Sequence, residues 1–164
     1  MQPTDTLTTL FSHNRWANLR LLETCAGLSG RSPEPLQLAA TVPGTYGTIH
    51  DTLQHIVVAE RLYLSLISTG QRYDRPQGAP PLTLAEMAEW ARLSGEGLIE
   101  WAPKVQPGDT FLDEGVWEIP KTILLTQAIN HATEHRAQVM TILTQLGIQP
   151  PELDGWTYIT ELGK

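Results

Sequence analysis

Apolar residues recur at three- and four-residue intervals over four long segments of this chain, the spacing of helices that bury one face. The first segment starts after Asp5, a good N-cap, and runs to about Ala26, with Leu7, Leu10, Phe11, Leu21, Leu22 and Cys25 on its apolar side. A connection from Gly27 to Gly44 follows, marked by Ser29, Gly30, Pro33, Pro35 and Pro43. The second helix is expected from about Thr45 to Thr69, where Gly70 offers a stop. Gln71 to Pro81 is polar and proline-rich. A third helix begins at about Thr83, with Glu86 placed to complete a capping box, and reaches about Trp101.

The period then changes. Thr110, Phe111 and Leu112, and afterwards Val116, Trp117, Glu118 and Ile119, flank Asp113-Glu114-Gly115, which predicts a short β-hairpin or an extended loop. The last long helix is expected from about Lys121 to Leu146, ended by Gly147 and the Pro150-Pro151 pair. The tail from Glu152 to Lys164 keeps Trp156, Tyr158 and Ile159, so it should pack back on the body. Four long helices with connections of this size predict an all-α four-helix bundle forming a single domain over residues 1–164.

Two of the apolar stripes contain histidine. In the last helix Leu124, Ala128, His131, His135, Val139, Ile142 and Leu146 share one face. The four-residue step stacks His131 and His135 on neighbouring turns, from which two imidazole nitrogens can reach one ion at about 2.0–2.1 Å. In the second helix Thr48, Thr52, His55, Ala59, Leu62 and Leu66 form a comparable stripe. Three inward histidines without partners are costly to bury, and one divalent metal ion satisfies all three. Three histidines are compatible with zinc, nickel or iron, and ligand type alone does not choose among them; zinc is the first expectation. A single buried histidine is more often a hydrogen-bonded core residue than a ligand, so the weight rests on the three together.

The other two histidines are read as surface residues. His50 shares its face with Gln54, Arg61 and Ser65, and His13 lies beside Asn14 off the main apolar stripe. Asp51, one turn before His55, is placed either to accept that ring's second N–H or simply to sit as an acid in the first helical turns. Glu134 makes His131-Ala132-Thr133-Glu134-His135 match an H-x-x-E-H peptidase signature. It groups, however, with Gln127, Asn130, Gln138 and Thr141 on a polar face, and the chain is short for such a peptidase. No catalytic residue is therefore assigned; Glu134 and Asp51 are the candidates for a general base. Cys25 falls at an apolar position with no basic neighbour, which suits a core thiol rather than a nucleophile.

Composition narrows the partners. A net charge of -7 with no basic stripe argues against nucleic acid, and no apolar run approaches the roughly 20 residues of a membrane span. The opening residues lack a basic start followed by an apolar run, so no secretory signal is expected, and one cysteine fits a reducing compartment. The cytoplasm is the expected location.

The segments HNRWANLRLL, GTYGTIHDTLQHIVVAERLYL and INHATEHRAQVMTILTQLGIQPPELDGWTY, in this order, resemble the DinB/YfiT family of metal-binding four-helix bundles. The strongest element is a single histidine, a long gap, and then His-x-x-x-His-Arg. The resemblance implies that His55, His131 and His135 supply three metal ligands. It also implies a cytoplasmic bacterial protein, often a homodimer. Similar proteins include metal-dependent hydrolases and transferases that use low-molecular-weight thiols such as bacillithiol or mycothiol. Three protein ligands leave an open position, whereas a closed structural site has four. A small-molecule enzyme is therefore the first expectation; a non-catalytic metal- or ligand-sensing bundle, or a metal-free bundle with a polar core, is the alternative. Gln71 to Lys121 carries no comparable motif.

Overall fold

The computed structural model describes residues 5–28 and 37–163. Among them, five α-helices and one two-stranded sheet follow in the order α1 (Thr6–Ala26), α2 (Ile49–Thr69), α3 (Leu84–Trp101), β1 (Thr110–Asp113), β2 (Trp117–Pro120), α4 (Lys121–Gln145) and α5 (Gly155–Leu162). A short 3-10 turn, Ala102–Lys104, closes α3. The fold is thus mostly helical. No described helix is long and apolar enough to cross a membrane.

Side-chain caps set most of the helix starts. Asp5 accepts from the Thr8 N–H at 3.0 Å, and Thr83 with Glu86 forms both halves of a capping box. Helix α2 begins at Ile49, later than the expected Thr45, because Thr48 caps it: its hydroxyl oxygen accepts the Asp51 N–H and its O–H donates to Asp51 Oδ2. The residues just before that cap stay outside the helix, with consequences for the site below. At the other end Gly70 takes φ of 70°, and its N–H closes on the Leu66 carbonyl. Of the connection expected from Gly27 to Gly44, residues 29–36, with Ser29, Gly30, Pro33 and Pro35, lie outside the described residues.

The strands pair antiparallel with Phe111 opposite Ile119, and Glu114 and Gly115 turn the chain with positive φ. Phe111 is buried beside Phe11 and Leu125. The tail packs back as expected, here as a helix: Trp16 Nε1 and Arg20 both donate to the Glu161 carboxylate, and the rings of His13, Trp16 and Tyr158 meet at 5.3–5.6 Å.

Helices α1 and α2 each pack against α3 and α4. Gly95 and Gly97 allow the close approaches of α3, since a Cβ at either would stand 2.5 Å from Arg15 or Leu64 side-chain carbons. The apolar interior is in two parts. One gathers Leu21, Leu53, Val57, Met87, Val139 and Ile142; the other gathers Phe11, Leu66, Ile67, Leu98, Leu124 and Ala128. Between these two sets α1, α2 and α4 carry the buried polar residues Asn14, Asn18, Glu60, His135 and Arg136, with Ala17 and Ala132 beside them. Cys25 lies fully buried, and burial pushes its thiol up to about 12, in keeping with a core role.

Candidate metal centre

His55 comes from the middle of α2, and His131 and His135 from adjacent turns of α4, where the two helices pack face to face. One nitrogen from each ring lies within 4.8 Å of the others. His55 Nε2 and His131 Nε2 face each other at 2.8 Å, and the three ring centroids are 4.5–4.8 Å apart. Only one proton fits between the first two rings. His131 Nδ1 is also buried without a partner among the described residues.

His131 and His55 are biased toward the neutral, ligating form. Burial, reinforced by the neighbouring histidine charges, pushes His131 down to about 4. Burial and then His135 lower His55 as well. His135 is fixed by Gln138, whose Oε1 faces both the Tyr46 backbone N–H, at 3.0 Å, and His135 Nδ1, at 3.0 Å. A backbone N–H can only donate, so the Gln138 atom is the oxygen and His135 Nδ1 must donate to it too. His135 Nε2 is thereby left as an acceptor, the tautomer that metal-bound histidines usually take with such an outer partner. The donor set therefore fits a divalent ion such as zinc.

Tyr46 forms the wall of the site. It belongs to the segment that the Thr48 cap keeps out of α2, and its ring stacks on His55 at 4.1 Å with an interplanar angle of 12°. It also meets His135 edge-on at 5.2 Å, while Tyr63 meets His131 from the opposite side of the chain order at 5.9 Å. Beside His55 opens a cleft of about 460 Å³, lined by Tyr46, Asp51, Gln54, Val58 and Arg75.

The sequence-derived candidates fall into two groups. His55, His131 and His135 come together; His13 and His50 do not join them, but neither is a free surface residue. His13 Nε2 bonds the Leu153 carbonyl at 2.8 Å and His50 Nε2 the Leu82 carbonyl at 2.9 Å, both half-buried and tying connections to the helices. Asp51 is occupied by Thr48 rather than by His55, although it stands on the cleft wall. Glu134 is exposed and is not part of that wall.

Next to the site lies a second polar cluster that the sequence reading did not single out. Arg136 donates from Nη1 to Asn14 Oδ1 at 2.7 Å and to Asn18 Oδ1 at 2.6 Å, and both asparagine amides donate onward to Glu60 Oε1. All four residues are buried. Burial pushes the Glu60 carboxyl up to about 7, with the Arg136 charge and the two amides opposing it. Arg136 is lowered by the same burial, to about 10, and remains a cation at neutral pH.

The DinB family model matches residues 1–162. This chain belongs to the DinB family. Among solved structures, a DinB-like protein from Bacillus subtilis superposes with a TM-score of 0.63 at 13% identity, over 92% of this chain and 99% of that one. At that identity the likeness speaks for a shared DinB-like fold. No curated protein matches the sequence.

Proposed function

We propose that this DinB-family chain is a four-helix bundle that binds one divalent metal ion through His55, His131 and His135. It acts there on a small molecule, as a hydrolase or as a low-molecular-weight-thiol-dependent transferase. The observation that carries this reading is the convergence of three imidazoles beside an open cleft, with no fourth protein ligand among the described residues. Zinc is the first candidate, then nickel or iron. When bound, such an ion supplies Lewis acidity that lowers the pKa of a coordinated water or thiol.

The chain's own groups do the rest. Gln138 orients His135, Tyr46 covers His55 and narrows the approach, and the cleft takes the substrate's body. Asp51, the acid on that wall, is better placed than Glu134 to exchange a proton with a bound molecule. The protein is read as cytoplasmic and as a homodimer, the latter decided by sedimentation.

Metal analysis of the purified chain is expected to find one equivalent, lost in His135→Ala. Incubation with bacillithiol, mycothiol or glutathione and an electrophile then separates transfer from hydrolysis of a small ester or amide. Metal without either turnover assigns the site to sensing. No stoichiometric metal near neutral pH overturns the reading.

A further inference from the structure

Arg61 stands apart from the other described cations. Every other described arginine and lysine donates to a carboxylate, an amide oxygen or a backbone carbonyl. Arg61 donates to no acceptor among the described residues, in a chain whose net charge of -7 offers carboxylates in excess. It is nonetheless held firmly. Its guanidinium carbon lies 4.8 Å from the Tyr73 ring centroid and 4.6 Å from that of Trp90, and these two rings meet edge-on at 5.9 Å. The two rings stand at 77° to each other, so the planar guanidinium lies flat on at most one of them; the pair holds the cation in place without supplying an oxygen acceptor for its N–H groups.

The surroundings supply further donors. Arg61 lines a cleft of about 310 Å³ between α2 and α3, together with Ser65, one turn further along α2, and Ser94 from α3. The Ser68 hydroxyl in the same cleft is spent on the Leu64 carbonyl at 2.7 Å. Those of Ser65 and Ser94 have no partner among the described residues, and Ser94 is only 2% exposed. The floor is tight, because Gly97 lets Leu64 occupy the space where a Cβ would stand. Six positions past His55, Arg61 is about a third of a turn (roughly 120°) away from it around the helix axis, so this cleft and the histidine cluster open from different sides of α2.

We propose that Arg61, Ser65 and Ser94 form a binding site for a tetrahedral oxyanion, either free phosphate or sulfate or the phosphate end of a small molecule. A guanidinium edge offers two parallel N–H bonds to two oxygens. Hydroxyls from two different helices then suit a third and fourth oxygen, which a planar carboxylate lacks. The aromatic clamp has already removed the rotamer freedom that such binding would otherwise cost.

The test uses the full chain, freed of metal, titrated with inorganic phosphate, inorganic sulfate, glycerol phosphate, acetate and chloride at matched ionic strength. The readouts are the Arg61 Nε–H and Trp90 indole N–H resonances. Saturable shifts are expected with phosphate, sulfate or the ester, and weaker ones with acetate. Tighter binding of the ester than of inorganic phosphate assigns the site to a phosphorylated small molecule; the reverse order assigns it to the free anion. Arg61→Lys, which keeps the charge but not the fork, should weaken binding by about tenfold or more. Ser94→Ala should weaken it less. A response no different from chloride, tighter binding of acetate, or affinity unchanged in Arg61→Lys would each overturn the proposal.

Discussion

His135 and Arg136 are neighbours in α4, both buried, yet they belong to clusters of opposite character. Around Arg136 donors meet acceptors in sequence: guanidinium to two amide oxygens, and two amide nitrogens to one carboxylate oxygen. Around His135 the pairing is incomplete. One proton bridges His55 and His131, His131 Nδ1 has no partner among the described residues, and Gln138 turns the His135 Nε2 lone pair inward. The first arrangement is nearly complete within the chain and braces three helices. The second leaves a lone pair turned inward, where the proposed ion would bind. Buried polarity alone therefore does not mark the site; an excess of one kind of hydrogen-bonding group, beside an opening, does.

The contrast can be tested by breaking each cluster in turn. Arg136→Met leaves two amide oxygens and the Glu60 carboxylate without their cation, and should cost about 3–5 kcal/mol of stability in urea unfolding. His135→Ala should do the reverse: little change in metal-free stability, but a loss of metal affinity greater than the roughly 10–100-fold typical of outer partners. If His135→Ala unfolded the metal-free chain as readily as Arg136→Met, the distinction between brace and site would fail. Gln138→Ala releases His135 and Tyr46 together and should weaken metal binding by about 10–100-fold, as read by competition with a chromogenic chelator.

The smallest expected effect is on pH. In the metal-free chain His131 has its pKa lowered from 6.5 to about 4, so the unfolded state binds more protons between those values. Its contribution to stability is present above about 6.5 and lost as pH falls toward about 4. Relative to His131→Gln, the parent chain should lose stability over that window in urea titrations at stepped pH.

Much of this was legible in the chain before any coordinates. Asp5, Thr83 with Glu86, and Gly70 act at the helix ends their chemistry suggests, and the histidine trio follows from two helical stripes. The start of α2 was misjudged because the local pattern allows helix from Thr45, whereas the Thr48–Asp51 pair caps it later. That difference is what frees Tyr46 to cover His55. Gln138 was grouped with the polar face of Glu134, since helical phase does not reveal that a long side chain bends back to bridge a ring and a loop. Asn14, Asn18 and Glu60 interrupt apolar positions on two helices, but which donor meets which acceptor depends on how α1, α2 and α4 are stacked. His13 and His50 were misread as surface residues for a related reason: their partners are backbone carbonyls of distant connections.

The most direct measurement is a zinc titration of the chelator-stripped chain, following all five histidine ring signals by NMR. The account predicts saturation at one equivalent, with the rings of His55, His131 and His135 shifting together and those of His13 and His50 staying in place. Failure to saturate, or binding that moves His13 or His50 and leaves any of the three still, would contradict it.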